Sequence, residues 1–382
     1  MVGLSVACSD PPTAAGGEDA AVEAQGAVEV GAGDGGDAAV VPRGARVLGI
    51  AVEIGDVDFQ KNVQIARDAG AQTTNLTFAW DEVERAYDAG TLDASDPDGG
   101  DAGDGSTPTQ LFNPLLHVAN LVLPDERMGA TVTLDALDVG GPRAPAELAG
   151  VALDDAALAA RYDRLTDYAL DQLPDTNVTA LFFASNVDVP LGDDVAKHAA
   201  FATFVARAAM HVHASRPKVK VGFVVSASGA IAAKARFAAA WAASDVIGIT
   251  YFPLDAAAQV RPVAAVAADL DALAAALPAG KPVVFREVGY PTNPACGGSA
   301  TAQAAFVSAV FGSWDRHASR FSVVTVRELV DSDPAAAAEL AQRYGRSDAA
   351  FLGFLGSLGL REGSQAKPGL GTLLGEARAR GF

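Results

Sequence analysis

Val283-Val284-Phe285-Arg286-Glu287-Val288-Gly289-Tyr290-Pro291-Thr292 is the stretch that decides the fold. Three large apolar residues, two of them β-branched, run without alternation into an Arg-Glu pair, and a Gly and a Pro follow within four residues. A short continuous apolar run bounded by turn residues reads as a strand buried on both faces, the condition of a parallel sheet. The turn then leaves a carboxylate, Glu287, at the strand's C-terminal end.

Working outward, the same unit repeats on both sides. Upstream lie a strand over 246–251 and a helix over 263–277; downstream lie a helix over 300–313 and a strand over 321–326, with helical segments to 380. Earlier strands are expected over 46–53, 72–78, 130–135, 178–183 and 219–225. The helices between them are expected near 57–69, 111–123, 154–173 and 194–213, and in an Ala-rich run ending at 243. Strands alternating with helical patterns argue for βαβ units. Eight strands, each followed by a helix, predict an α/β fold, a closed (β/α)8 TIM barrel over residues 45–382. An open doubly wound sheet is the rival. Gly49 and Gly55 after the first strand do not form the Gly-rich phosphate turn that a dinucleotide-binding sheet carries.

The composition suits a large core, since half of the 382 residues are hydrophobic. The formal net charge is −19, with 47 acidic against 28 basic side chains. Nucleic-acid affinity depends on phosphate neutralisation by Lys and Arg, so no nucleic-acid partner is expected. Neutral or cationic ligands suit such a surface. Ahead of the barrel, residues 1–8 (Met1-Val2-Gly3-Leu4-Ser5-Val6-Ala7-Cys8) look like the tail of a bacterial lipoprotein signal, with Cys8 as the lipid-anchor residue. Residues 9–44 have the aperiodic Ala, Gly, Asp and Glu composition of a disordered tether. Export and anchoring at a cell envelope follow from that reading, with membrane contact only through the lipid. A disordered apolar start is the plainer alternative.

In such barrels chemistry sits at the C-terminal ends of strands. Those ends carry Glu53, Trp80, Asp135, Asn186 with Asp188, Tyr251, Glu287, and Glu328 with Asp331. Aromatic faces stack on the C–H faces of sugar rings and carboxylates accept their hydroxyl hydrogens, so a carbohydrate partner is expected. Other signals are bland. His211 and His213, two apart on a helix, do not share a face, and no metal site or cofactor is expected. The acidic insertion 93–109 lacks the ordered ligand spacing of a calcium loop. Ser185 and Ser226 have no matching His at strand ends. Cys296 is a lone thiol, and a monomer is expected.

The sequence around Glu287 resembles the clan A retaining glycosidases, barrels whose nucleophile is a Glu ending strand seven in a Glu-x-Gly-Tyr/Phe-Pro setting. The likeness runs through Cys296-Gly297-Gly298-Ser299, Gln303, Phe306-Val307 and Trp314-Asp315. It continues through Asp331 to an ending with Leu358-Gly359-Leu360, Gly363 and Lys367-Pro368. The resemblance implies Glu287 as nucleophile, against a structural carboxylate paired with Arg286 or another neighbour, and Tyr251 as its hydrogen-bonding neighbour, against a Tyr packed at the rim. Trp80, Asn186, Tyr290 and Glu328 are expected around the sugar, with Trp80 alternatively a hydrophobic plug. It also implies a second carboxyl about 5–5.5 Å from Glu287, supplied in the clan by an Asn-Glu pair ending strand four. Here that place reads Ala184-Ser185-Asn186-Val187-Asp188, and every alignment puts Asn186 or Val187 where the Glu belongs. The clan's Arg near the end of strand two is also missing from 72–78, and Arg286, adjacent to Glu287, is expected to face the opposite way. Three outcomes stand open: Asp188 acts as the acid through a shifted loop, Glu328 serves instead, or hydrolysis is lost and sugar binding kept. A non-catalytic glycan-binding lipoprotein and a ligand-free structural barrel are the further alternatives.

Overall fold

The computed structural model describes residues 40–86 and 109–382. Cys8, most of the tether and the acidic stretch 93–104 lie outside the described residues. Eight barrel strands follow in chain order: β1 Val47–Ile50, β2 Thr73–Ala79, β3 Gly129–Asp135, β4 Val178–Phe182, β5 in two pieces (Val221–Gly222 and Val224–Ser226), β6 Ile247–Tyr251, β7 Val283–Val288 and β8 Phe321–Val326. The layer outside them is α1 Phe59–Asp68, α2 Pro114–Asp125, α3 Ala156–Asp171, α4 Val195–Ser215, α5 Lys234–Ala243, α6 Val266–Ala276, α7 Ala300–Arg316 and α8 Pro368–Arg380. Several helices start where the sequence offers a cap. Asp155 accepts from the amides of Ala157 and Leu158, and Ser299 from that of Ala302.

All neighbouring barrel strands pair in parallel, and β8 pairs with β1. The sheet closes within β5, whose first piece pairs with β4 and whose second pairs with β6. The expected TIM barrel is therefore the observed fold, but its fifth strand is not the continuous run that the β-branched pattern predicts. Phe223 interrupts it and turns outward to stack on Trp241 of α5.

Two cores result. Between sheet and helices, edge-on aromatic contacts link Trp80, Tyr162, Phe204 and Phe183. Inside the barrel, Phe182, Val224, Val284 and Val323 form a separate buried cluster. Gly248 makes room for it: a methyl group there would meet the Phe182 ring at 2.8 Å and the Phe223 carbonyl oxygen at 2.8 Å. This plug closes the barrel from below and leaves the C-terminal strand ends as the floor of whatever site the mouth holds. The loop after β8 carries two more helices, Pro334–Arg343 and Ala349–Leu355.

The barrel's hold on the chain begins before β1. The Arg43 amide donates to the Arg380 carbonyl at 2.8 Å, and the Arg46 guanidinium donates to the carbonyls of Val41 and Pro42. Val41 to Gly44 fall in the stretch whose composition reads as tether. Among the described residues, no helix is long and apolar enough to cross a membrane.

Candidate active site at the barrel mouth

A cavity of about 630 Å³ opens at the C-terminal ends of the strands, and Glu287 is in its wall. The carboxylate is held at both oxygens: Arg286 Nη1 donates to Oε1 at 2.5 Å and Arg327 Nη1 donates to Oε2 at 2.5 Å. Burial pushes the Glu287 carboxyl up, but Arg327 and Arg286 outweigh it and hold it below the ordinary glutamate range. Glu287 is thus a fixed, ionised carboxylate at neutral pH.

Arg286 overturns an expectation. Alternation along a regular strand would send it away from Glu287, yet its guanidinium lies inside the barrel. There Nε donates to Thr133 Oγ1 at 2.8 Å and Nη2 donates to Thr77 Oγ1. The reason is a bulge. Ile249 pairs with Phe285 but Thr250 pairs with Glu287, so β7 carries an extra residue, and the register with β8 shifts at the same place. A bulge re-aims the side chains beside it, so consecutive residues share the cavity side. Arg286 thereby brings a guanidinium to Glu287 from the same strand. In place of an Arg, β2 contributes Asn75, whose amide nitrogen donates to the Arg286 carbonyl at 2.5 Å.

The other expected residues divide. Asn186 lines the cavity; its backbone is left-handed (φ 47°) and its Oδ1 accepts from Thr250 Oγ1 at 2.6 Å. Glu328 lines it too, with the Ser332 hydroxyl 2.8 Å from both its oxygens and Arg327 Nε donating to one at 3.1 Å. Glu53, Asp135 and Asp331 are also in the walls. Asp188 is not among the lining residues. It accepts from the amide of Ser226 at 2.9 Å and from its hydroxyl at 2.6 Å, fastening the turn after β5, and it packs where any side chain at Gly229 would collide with it.

Trp80, Tyr251 and Tyr290 all turn away from the cavity. Trp80 is fully buried against Tyr162, its indole N–H donating to Glu84 at 2.6 Å. Tyr251 follows the strand alternation: Thr250 takes the inward position, and the Tyr251 hydroxyl points outward to Asp269 at 2.9 Å. Tyr290 packs on Phe306, with its hydroxyl 3.4 Å from the Arg261 carbonyl. Tyr344, just beyond the Pro334–Arg343 helix, is the aromatic in the cavity wall instead.

One participant, Arg327, escaped the sequence reading, and another, Asp135, was read only as one strand end among several. Arg327 carries a signal that could have found it, since the strand-seven end Arg286-Glu287 recurs as Arg327-Glu328 at the strand-eight end. Asp135 is a strand-end carboxylate with no motif to mark it. It is 4% exposed, accepts from Ser185 Oγ at 3.0 Å, and its Oδ1 has no hydrogen-bond partner among the described residues. Burial pushes its carboxyl up to about 7, against the pull of the Ser185 hydroxyl and the Arg286 guanidinium.

The sequence matches no family model, and no curated protein matches it. Solved structures do resemble it. A GH5_18 protein from Bifidobacterium longum subsp. infantis superposes with a TM-score of 0.62 at 13% identity, over 87% of this chain and 78% of that one. A GH5_18 variant from Streptomyces cattleya in complex with Manb1-4GlcNAc gives 0.62 at 13%, over 87% and 80%. The exo-beta-1,4-mannosidase Op5Man5 from Opitutaceae bacterium strain TAV5 gives 0.62 at 14%, and this chain spans 59% of its length. At these identities the likeness establishes the fold: this chain is a glycosidase-like TIM barrel.

Proposed function

We propose that this barrel acts on a neutral, β-linked sugar at its C-terminal face, with Glu287 as the nucleophile of a retaining reaction. One observation carries the reading: an ionised carboxylate, clamped by Arg286 and Arg327, stands in the wall of a sugar-sized cavity at the end of strand seven. Carboxylates outnumber guanidiniums in that wall, so an acidic sugar would be repelled. The β linkage rests on the mannosidase and the β1-4 disaccharide complex among the structural neighbours. The open cavity counts against a ligand-free scaffold, which would fill the mouth with its own loops.

Trapping tests this reading. A 2-deoxy-2-fluoro-β-mannoside or -glucoside with a dinitrophenyl leaving group needs no acid to depart. It should leave one fluorosugar esterified to Glu287, seen by mass spectrometry of the intact chain and its peptides, and Glu287→Gln should abolish the label. The observation that the turn after β4 carries Asn186 and Val187 where the clan's Glu is expected favours a second reading as a glycan binder without turnover. On that reading the protein binds the sugar but is never labelled. In either case Tyr344→Ala should weaken sugar binding by up to about tenfold in titration calorimetry, the scale of an aromatic contact worth roughly 0.5–1.5 kcal/mol.

A further inference from the structure

We propose that Asp135, at the end of β3, is the proton donor and acceptor of this cavity and does the work of the carboxyl that β4 lacks. The inference rests on Glu287 being the nucleophile.

The argument begins with elimination. A retaining site needs a second carboxyl facing the first across the sugar. Asp188 is outside the cavity wall and fastened to Ser226. Burial pushes the Glu328 carboxyl up as well, but Arg327 bonds one of its oxygens and the Ser332 hydroxyl lies 2.8 Å from both, so neither is without a partner. Asp138 is bound by Arg143 at 2.7 Å and by the Gly140 amide at 2.8 Å. Asp331 is bound by Lys367 at 2.6 Å. Glu53 is exposed to solvent and is not held in the cavity wall by burial. Asp135 alone among these combines burial in the cavity wall with an oxygen that has no hydrogen-bond partner among the described residues. A buried, unpaired polar atom is costly in a finished fold, and one in a cavity wall suits a ligand that completes it.

Position supports the same choice. β3 is the direct neighbour of β4, and Ser185, beyond the end of β4, holds the other Asp135 oxygen. Arg286 spans the barrel from Glu287 to Thr133, the inward residue two positions before Asp135. Around Asp135 stand Ser185 beyond β4, Arg286 from β7, Asp138 and Arg143 just beyond β3, and the Tyr162 hydroxyl from α3. Within one cavity, environments therefore push two carboxyls apart, Glu287 downward and Asp135 upward to about 7. Such opposed pairs are how a site divides nucleophile from acid.

The reaction balances on these two groups. A Glu287 oxygen bonds to the anomeric carbon as the glycosidic C–O bond breaks, and the leaving oxygen takes the Asp135 proton. Water then attacks the anomeric carbon and gives its proton to Asp135, and the Glu287 ester is released as carboxylate.

Leaving-group dependence tests this. Asp135→Ala should lower kcat/KM for alkyl or unsubstituted phenyl β-glycosides by about 10²–10⁴-fold, while dinitrophenyl fluorosugars still label Glu287. Azide should restore turnover of dinitrophenyl glycosides in this variant and yield a β-glycosyl azide. Wild-type kcat/KM should fall as pH rises through about 7, because only the protonated carboxyl donates; Asp135→Asn, nearly isosteric, should lose that alkaline limb. Wild-type rates on poor leaving groups in both variants, or a limb that persists in Asp135→Asn, would overturn the proposal. A wild-type chain that fluorosugars never label fails one step earlier, at Glu287, and takes this inference with it.

Discussion

Asp315→Ala is expected to cost the barrel about 3–5 kcal/mol of stability, the range measured when one partner of a buried ion pair is removed. Asp315 sits on α7 with its side chain 1% exposed, between two guanidiniums that are themselves almost wholly buried. Arg46, just before β1, donates to Oδ1 at 2.7 Å. Arg380, at the end of α8, donates to both oxygens, at 2.6 Å for its Nη2–Oδ2 bond. One carboxylate thus joins the entry to the barrel to its last two helices. Arg46 also lies over the Trp314 ring, 5.0 Å from its centroid, and cannot swing out to water without losing that contact. Removing the carboxylate leaves two positive charges facing each other in a dry place. The melting temperature should drop by about 10 °C for a chain of this size. The pH dependence has a definite sign. Burial pushes the Asp315 carboxyl up, but Arg380 and Arg46 prevail and set it below the ordinary aspartate range. Its stabilisation is therefore present above the unfolded aspartate pKa and lost as pH falls through the lower folded value. The gap between wild type and Asp315→Ala should be full at neutral pH and narrow in strong acid. A gap that is constant with pH would show that lost packing, not charge, is responsible.

Arg286→Met should have the second large effect, and it should act on both carboxyls of the cavity. The substitution removes the donor to Glu287 Oε1 and leaves the hydroxyls of Thr77 and Thr133 without their partner. Fluorosugar labelling of Glu287 should slow by about 10²-fold, the scale on which a misplaced reacting group costs rate. The Glu287 carboxyl should rise toward the ordinary range because one of its two cations is gone. The Asp135 carboxyl, which Arg286 also pulls down, should move above its value of about 7. The acid and alkaline limbs of the rate profile should therefore both shift upward. A change in rate without a shift in either limb would mean that Arg286 braces the barrel but does not set the charge of the site.

Periodicity carried the fold because each βα unit is a local pattern. The apolar run 283–285 reads as a doubly buried strand whatever surrounds it, and eight such units admit few arrangements. The break at Phe223 was not legible, since Val219-Lys220-Val221-Gly222-Phe223-Val224-Val225 has the composition of one strand. Its division reflects closure, when one strand must pair with β4 at one end and β6 at the other.

The site was legible at single positions and opaque in its pairings. Glu287 could be placed by its strand and its turn. The aromatic expectations failed on direction: Tyr251 is one residue off the inward register, and Trp80 and Tyr290 stand where the chain has already left the strand. The bulge in β7 mattered most. It is invisible in sequence because it is set by register against two neighbouring strands, and it puts Arg286 and Glu287 on one side. The eight-fold alternation, the carboxylate ending strand seven and the missing Glu after strand four depend on local pattern and residue identity, and so they can be read from the chain. Which groups meet depends on how the barrel closes. Arg327 reaches Glu287, Asp135 lines the same cavity, and Asp188 turns to Ser226, because contacts between distant residues follow from strand closure and burial.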